Sequence, residues 1–271
     1  MMSSARSTLI FTAALFAGLA VSPLAQAAAC GNGSAGFDAW KEAFAKEARA
    51  AGHSQPAIDA LMDTHYNHPT IGADRGQHSF QLSLDEFLAK RGGSIIASKG
   101  RSYKQRLAPL FDNIEARYGV PPGPLLAIWG METGFGSVHG NQHALSAIAT
   151  LAYDCRRSEY FTDQLNAFLT LIDHGRVEPG ARGSMHGEIG QTQFLPKNIL
   201  EYGVGGNLEA SSAALMSTAN FLKAHGWRAG AGYQPGEPNF AAIEAWNAAG
   251  VYQKAIAIMG RQIDGERAAE R

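Results

Sequence analysis

Pro121-Pro122-Gly123-Pro124-Leu125-Leu126-Ala127-Ile128-Trp129-Gly130-Met131-Glu132-Thr133-Gly134-Phe135-Gly136 is an apolar run with a single acid in it. Leu125, Ile128 and Trp129 stand at i, i+3 and i+4 of a helix and Glu132 at i+7, so a carboxyl group is aimed into the surface those residues bury. Desolvation raises the pKa of such a group. A carboxylic acid kept protonated near neutral pH is what a glycosidic oxygen needs as its proton donor when the bond breaks. The competing reading is structural: Glu132 caps a bend or pairs with an arginine.

Helical periodicity continues on both sides of this segment. Phe37, Trp40 and Phe44 share one face, and Ser54 is placed to cap a helix carrying Ile58, Leu61 and Met62. Leu107, Leu110, Phe111, Ile114 and Tyr118 form the next stripe. Phe161, Leu165, Phe168, Leu169 and Ile172 follow, then Leu215, Ala219 and Leu222 stopped by Gly226, then Tyr252, Ile256, Met259 and Ile263. These stripes predict a core. From His174 to Gly206 glycines break every period, which predicts loops, tight turns or a small hairpin lining a site.

Arg6 is the only charge before residue 35, Leu9 to Val21 is apolar, and Ala25-Gln26-Ala27 is a small-x-small cleavage signal. Residues 1–27 therefore read as a secretory signal peptide, too short for a membrane span. Removing Arg6 turns 23 basic against 24 acidic residues into 22 against 24, so no electrostatic argument for nucleic acid survives. The two cysteines, Cys30 and Cys155, favour a disulfide in an exported chain. The alternative is lipidation of Cys30 and an outer-membrane lipoprotein, although Ala27-Ala28-Ala29-Cys30 lacks the leucine usual three residues before the cysteine. About 240 mature residues suffice for one substantial core, or a core with a helical annex.

His186-Gly187-Glu188 and His65-Tyr66-Asn67-His68 have short ligand-like spacings, but no HExxH or paired CxxC accompanies them, and no metal is expected. A G-x-S-x-G elbow and a P-loop are missing from the sequence, and no dinucleotide fingerprint stands between a predicted strand and a helix, which removes most support for covalent-nucleophile and nucleotide chemistry.

Five ordered blocks carry a family resemblance: Tyr118-Gly119-Val120-Pro121-Pro122, Ala127-Ile128-Trp129-Gly130-Met131-Glu132-Thr133-x-Phe135-Gly136, Ala149-Thr150-Leu151-Ala152-Tyr153, Gly190-x-x-Gln193-Phe194-x-Pro196, and Asn220-Phe221-Leu222-Lys223-Ala224-His225-Gly226-Trp227. From about Phe37 to the last helix the chain resembles the B-type membrane-bound lytic murein transglycosylases. That resemblance implies a mainly α, lysozyme-like fold with an added N-terminal helical part and a small irregular or hairpin region around residues 175–206. It also implies cleavage of peptidoglycan between N-acetylmuramic acid and N-acetylglucosamine, with a 1,6-anhydro product and no cofactor. A second carboxylate is replaced in that scheme by the substrate's own acetamido group.

A single domain is expected over residues 28–271, with 28–100 as its N-terminal helical part, 101–264 as its catalytic core and 265–271 as a frayed tail. The resemblance puts the acid/base at Glu132, the same residue the helix-face argument selects. It implies a basic pair at Arg156 and Arg157 near an anionic part of the substrate, against a solvated helix start. Ser184 and Gln193 are implied to hydrogen-bond the sugar acetamido group and neighbouring hydroxyls, and Asn247 and Tyr252 to stand beside the acid, with Trp246 replacing a tyrosine. Tyr202 to Leu208 is much shorter than the family's acidic segment, so no calcium is expected there. Glu188 occupies a place where better-known members carry a small or apolar residue; it either covers a turn at the surface or faces Glu132, where it can hold a water for hydrolysis.

The expectation is a monomeric, periplasmic lytic transglycosylase acting on glycan strands, with cell-wall assembly proteins as further partners. A muramidase and a non-catalytic peptidoglycan-binding protein are the alternatives, the latter opposed by the joint presence of Glu132, Ser184, Gln193, Asn247 and Tyr252.

Overall fold

The computed structural model describes residues 28–76 and 82–265. The predicted signal peptide and all but the first residue of the predicted tail lie outside them. Among the described residues, a short 3-10 turn (Ser34–Gly36) precedes thirteen α-helices and one two-stranded sheet: α1 (Phe37–Ala50), α2 (Gln55–Met62), α3 (His68–Arg75), α4 (Leu84–Arg91), α5 (Gly93–Arg106), α6 (Ala108–Tyr118), α7 (Pro122–Thr133), β1 (Gln142–His143), α8 (Ala144–Tyr153), α9 (Ser158–Asp173), β2 (Arg182–Gly183), α10 (Pro196–Tyr202), α11 (Ser211–Ala224), α12 (Phe240–Trp246) and α13 (Gly250–Asp264). β1 and β2 pair antiparallel, Gln142 opposite Gly183 and His143 opposite Arg182.

Every predicted stripe lies on a helix, apart from Leu107, which is the residue between α5 and α6. Ser54 caps α2 by accepting the Ala57 N–H at 3.4 Å. Within the irregular region, the seven-residue helix α10 was not anticipated from the sequence. Pro196 starts it, where a missing N–H costs nothing, and Ile199 anchors it in the core.

The helices pack around α7. Its main neighbours are α13 and α5, and Gly123 lets α13 approach: a Cβ there would run into the Gly260 carbonyl and the Asp264 carboxylate. Asp264, at the end of α13, accepts the Gly123 N–H at 2.8 Å and the Tyr233 hydroxyl at 2.8 Å, satisfying a donor in the first turn of α7. Fully buried Leu125, Leu126 and Ile128 each contribute roughly 1.5–3 kcal/mol of hydrophobic stabilisation.

The expected boundary between residues 100 and 101 falls inside α5, which is one continuous helix packed on α7 and α13. Residues 28–100 are also not one annex. α1, α2 and α3 pack on α8 and α9, whereas α4 and α5 belong to the α7–α13 core. The aromatic face of α1 explains the first attachment. Phe37 and Trp40 both meet Tyr153 at the end of α8, with centroids 5.6 Å apart in each pair. Beside that contact Cys30 is bonded to Cys155, and Gly31 donates to the Tyr153 carbonyl at 2.9 Å.

Candidate active site

Helical spacing predicts an acid on one core-facing stripe. α7 is instead apolar on every side and enclosed except at Glu132, so it has no separate core face. Glu132, in the last turn, is the one of its twelve residues that is only partly buried. Desolvation is the largest influence on its carboxyl and raises the pKa to about 7. The negative charge of Glu188 adds to the rise, while hydrogen bonding from Tyr252, then Trp246, and the charge of Arg91 oppose it. Arg91 is held beside this turn by donating to the Met131 carbonyl at 3.2 Å.

Tyr252, on α13, donates its hydroxyl to Glu132 Oε1. Burial and the neighbouring carboxyl push the phenol well above its ordinary range, so it keeps its proton and serves as a donor. Trp246 ends α12 and stands edge-on to Phe194 and Phe221, with centroids 5.2 and 5.1 Å away. Asn247 follows. Its Oδ1 accepts the Ala249 N–H at 2.9 Å, leaving the side-chain NH₂ as its available donor.

The opposite wall is the turn region from Ser184 to Phe194. Gln191, passed over as a variable position in its sequence block, fastens this wall to α7. Its Oε1 accepts the Trp129 indole N–H at 2.8 Å, its carbonyl accepts the Thr133 hydroxyl at 2.7 Å, and its Nε2 donates to the Glu209 carbonyl at 2.6 Å. Gly190, with φ +81°, lies so close to Leu208 that an added Cβ would come within 2.5 Å of the leucine Cβ, so only glycine fits. Gln193 has φ +54° and donates to the Gly190 carbonyl at 2.8 Å. Ser184 Oγ donates to Glu188 Oε2 at 2.6 Å.

Arg156 and Arg157 both reach Asp74, a buried carboxylate at the end of α3. His186 Nε2 is 3.7 Å from the same carboxylate. Part of the pair's charge is therefore neutralised from within, although each arginine side chain stays nearly half exposed. Asp74 gave no sequence signal: Gly72-Ala73-Asp74-Arg75 reads as an ordinary helix end. A polar cavity of about 320 Å³ is lined among others by Arg157, Tyr160, His186, Glu188, Trp246 and Asn247, and two of these, Glu188 and Trp246, also act on the Glu132 carboxyl.

Residues 36–237 match the family described as Transglycosylase SLT domain, which is most of the chain. The chain belongs to the transglycosylase SLT domain family. Membrane-bound lytic murein transglycosylase B of Escherichia coli (strain K12) is 38% identical to it over 137 residues, 45% of this chain and 38% of that protein. The match thus spans less than half the length of that curated relative. SltB3 from Pseudomonas aeruginosa, solved in complex with NAG-anhNAM-pentapeptide, superposes with a TM-score of 0.77 at 27% identity, covering 84% of this chain and 80% of SltB3. The Escherichia coli lytic transglycosylase Slt35 in complex with bulgecin A shares the fold, with a TM-score of 0.73 at 22% identity over 90% of this chain and 98% of its own. The mainly helical architecture of this SLT-family chain is thus that of the lytic transglycosylases.

Proposed function

We propose that the chain is an exported lytic transglycosylase. It cleaves the β-1,4 bond between N-acetylmuramic acid and N-acetylglucosamine in peptidoglycan and leaves 1,6-anhydromuramic acid ends. The observation that carries this reading is a carboxyl group with a pKa of about 7, at the end of a buried helix and hydrogen-bonded by a tyrosine, in a chain of the transglycosylase SLT domain family. SltB3, bound to NAG-anhNAM-pentapeptide, supports the substrate class. The disulfide Cys30–Cys155 supports an oxidising compartment, the periplasm.

Glu132 starts protonated. As the bond from the muramyl C1 to the leaving oxygen breaks, its electron pair goes to that oxygen and Glu132 supplies the proton. The C6 hydroxyl of the same sugar then attacks C1 and Glu132 takes the hydroxyl proton, so the enzyme returns to its starting state and no water is consumed. Tethering gives the C6 hydroxyl a high effective concentration over external water once the ring is distorted to bring it near. Tyr252 fixes the orientation of the carboxyl through both steps. Arg156, Arg157, Gln193, Trp246 and Asn247 form the walls against which the glycan lies, within a single catalytic domain.

Digestion of purified sacculi followed by mass analysis of the soluble muropeptides tests the reading. Anhydromuramyl products, lighter than hydrolytic ones by one water, are expected. Predominantly reducing-end muramyl products would make the enzyme a muramidase, and binding without release would make it a peptidoglycan-binding protein.

A further inference from the structure

Ser184 and Glu188 close on each other. Ser184 Oγ accepts the backbone N–H of His186 at 3.0 Å and of Glu188 at 3.2 Å, and gives its proton to Glu188 Oε2 at 2.6 Å. The Ser184 N–H in turn donates to the Glu188 carbonyl at 2.9 Å. A hydroxyl has one proton and two lone pairs, and all three are committed. The sugar contact that the family resemblance gives Ser184 would need one of them back.

Glu188 is the opposite case. A carboxylate offers about four acceptor positions, and among the described residues its side chain is bonded only through Oε2, by Ser184. It lines the 320 Å³ cavity together with Asn247, whose oxygen is engaged and whose NH₂ is available, and with the apolar surfaces of Leu195 and Trp246. An acetamido group has one N–H, one carbonyl and one methyl. The cavity presents an acceptor, a donor and an apolar wall to match. The charge of Glu188 also acts on the groups around it, holding the Glu132 proton more tightly and opposing the fall of the His186 pKa.

We propose that Glu188, and not Ser184, is the sugar-binding residue of this turn, accepting the acetamido N–H of an N-acetylated sugar while Asn247 donates to its carbonyl; Ser184 is a positioning residue that fixes the Glu188 carboxylate. The assignment rests on the peptidoglycan reading above.

The test is a binding cycle on Glu132→Gln protein, which reads affinity without turnover, measured by pelleting with insoluble sacculi. Glu188→Ala is expected to weaken binding about 10- to 100-fold, the usual worth of a hydrogen bond to a charged group. Ser184→Ala costs less, and the Ser184→Ala/Glu188→Ala pair binds no more weakly than Glu188→Ala alone, because the serine acts only through the glutamate. Glu188→Gln keeps an acceptor for Ser184 and for the sugar, so it recovers part of the loss with an unchanged melting temperature. A loss in Ser184→Ala as large as in Glu188→Ala, multiplying in the pair, would overturn the assignment in favour of direct contact by Ser184. Binding by all Glu188 variants equal to that of the Glu132→Gln parent would overturn it as well. A parent that fails to pellet refutes the peptidoglycan reading itself, a separate outcome from either.

Discussion

Replacing Glu132 by Gln should make the protein more stable and nearly inactive, with a stability gain that depends on pH. The Glu132 pKa is about 7 in the folded state against an ordinary 4.5. Between those values the folded protein holds a proton that the unfolded chain has released. Stability therefore falls as pH rises from about 4.5 through about 7 and levels off above it. At ~1.4 kcal/mol per tenfold in proton affinity, the full loss is about 3 kcal/mol. Gln never ionises and escapes this loss, while its carbonyl can still accept from the Tyr252 hydroxyl. Relative to wild type it should gain up to about 3 kcal/mol at pH 8 and almost nothing near pH 4. For a domain of this size that is a rise in melting temperature of roughly 6–12 °C at the higher pH. Turnover should drop by ~10²–10⁴-fold with the loss of the acidic proton. Thermal melts of both proteins at the two pH values, with sugar release from sacculi, check each half. A gain that is absent at pH 8 or equal at both pH values would refute the electrostatic argument, and near-wild-type release by the folded variant would refute the assignment of the acid.

Three further outcomes follow from the same geometry. Replacing Cys30 and Cys155 together by Ser should lower stability by roughly 3–5 kcal/mol, read from the urea midpoint, because the bond spans 125 residues; wild-type protein analysed by mass without reduction should contain no free thiol. Asp264→Ala strands the Gly123 N–H and the Tyr233 hydroxyl and should cost about 2–3 kcal/mol, whereas Asp264→Asn should cost less, since burial already draws that carboxyl toward its neutral form; equal melting of all three proteins would show that the cap is unimportant. Glu188→Gln removes a negative charge that faces Glu132 alongside Tyr252, Trp246 and Arg91, so the fall in activity on the alkaline side should move to lower pH, and a limb that stays in place or moves upward would contradict the assigned sign.

Periodicity carried most of the fold because each stripe packs against a neighbour at helical spacing, and Phe37, Phe168 and Ile256 are buried as their spacing requires. Two features escaped it. α7 has apolar residues on every side, so its spacing identified a helix but not which way Glu132 pointed. The division at residue 100 failed because α4 and α5 join the core while α1 to α3 attach elsewhere, and nothing local in a sequence records which distant helix an apolar face meets. The site was legible in the same uneven way. Glu132 and Tyr252 meet as expected, whereas the grip of Asp74 on Arg156 and Arg157 joins residues more than eighty positions apart with no shared pattern. Gln191 was invisible for another reason: its contacts run largely through its own backbone and to other residues' backbones.

In the mechanism proposed for Glu132, one carboxyl serves both chemical steps because its surroundings oppose the ionised form. Before the bond breaks, burial and the charge of Glu188 keep the proton on Glu132 near neutral pH, ready for the leaving oxygen. Once it has given that proton up, Glu132 is a carboxylate in a place that disfavours one, close to a second negative charge. The same influences that kept it acidic now drive it to take a proton back, and the C6 hydroxyl of the bound sugar is the donor whose loss of a proton completes the ring. Tyr252 tempers both states, since its hydroxyl donates to the carboxyl whichever form is present. A Glu132 in open solvent, with the ordinary pKa near 4.5, would already be ionised at neutral pH and would be a weaker base after cleavage. In the proposed mechanism, the burial of α7 up to its last turn is what lets a single glutamate suffice.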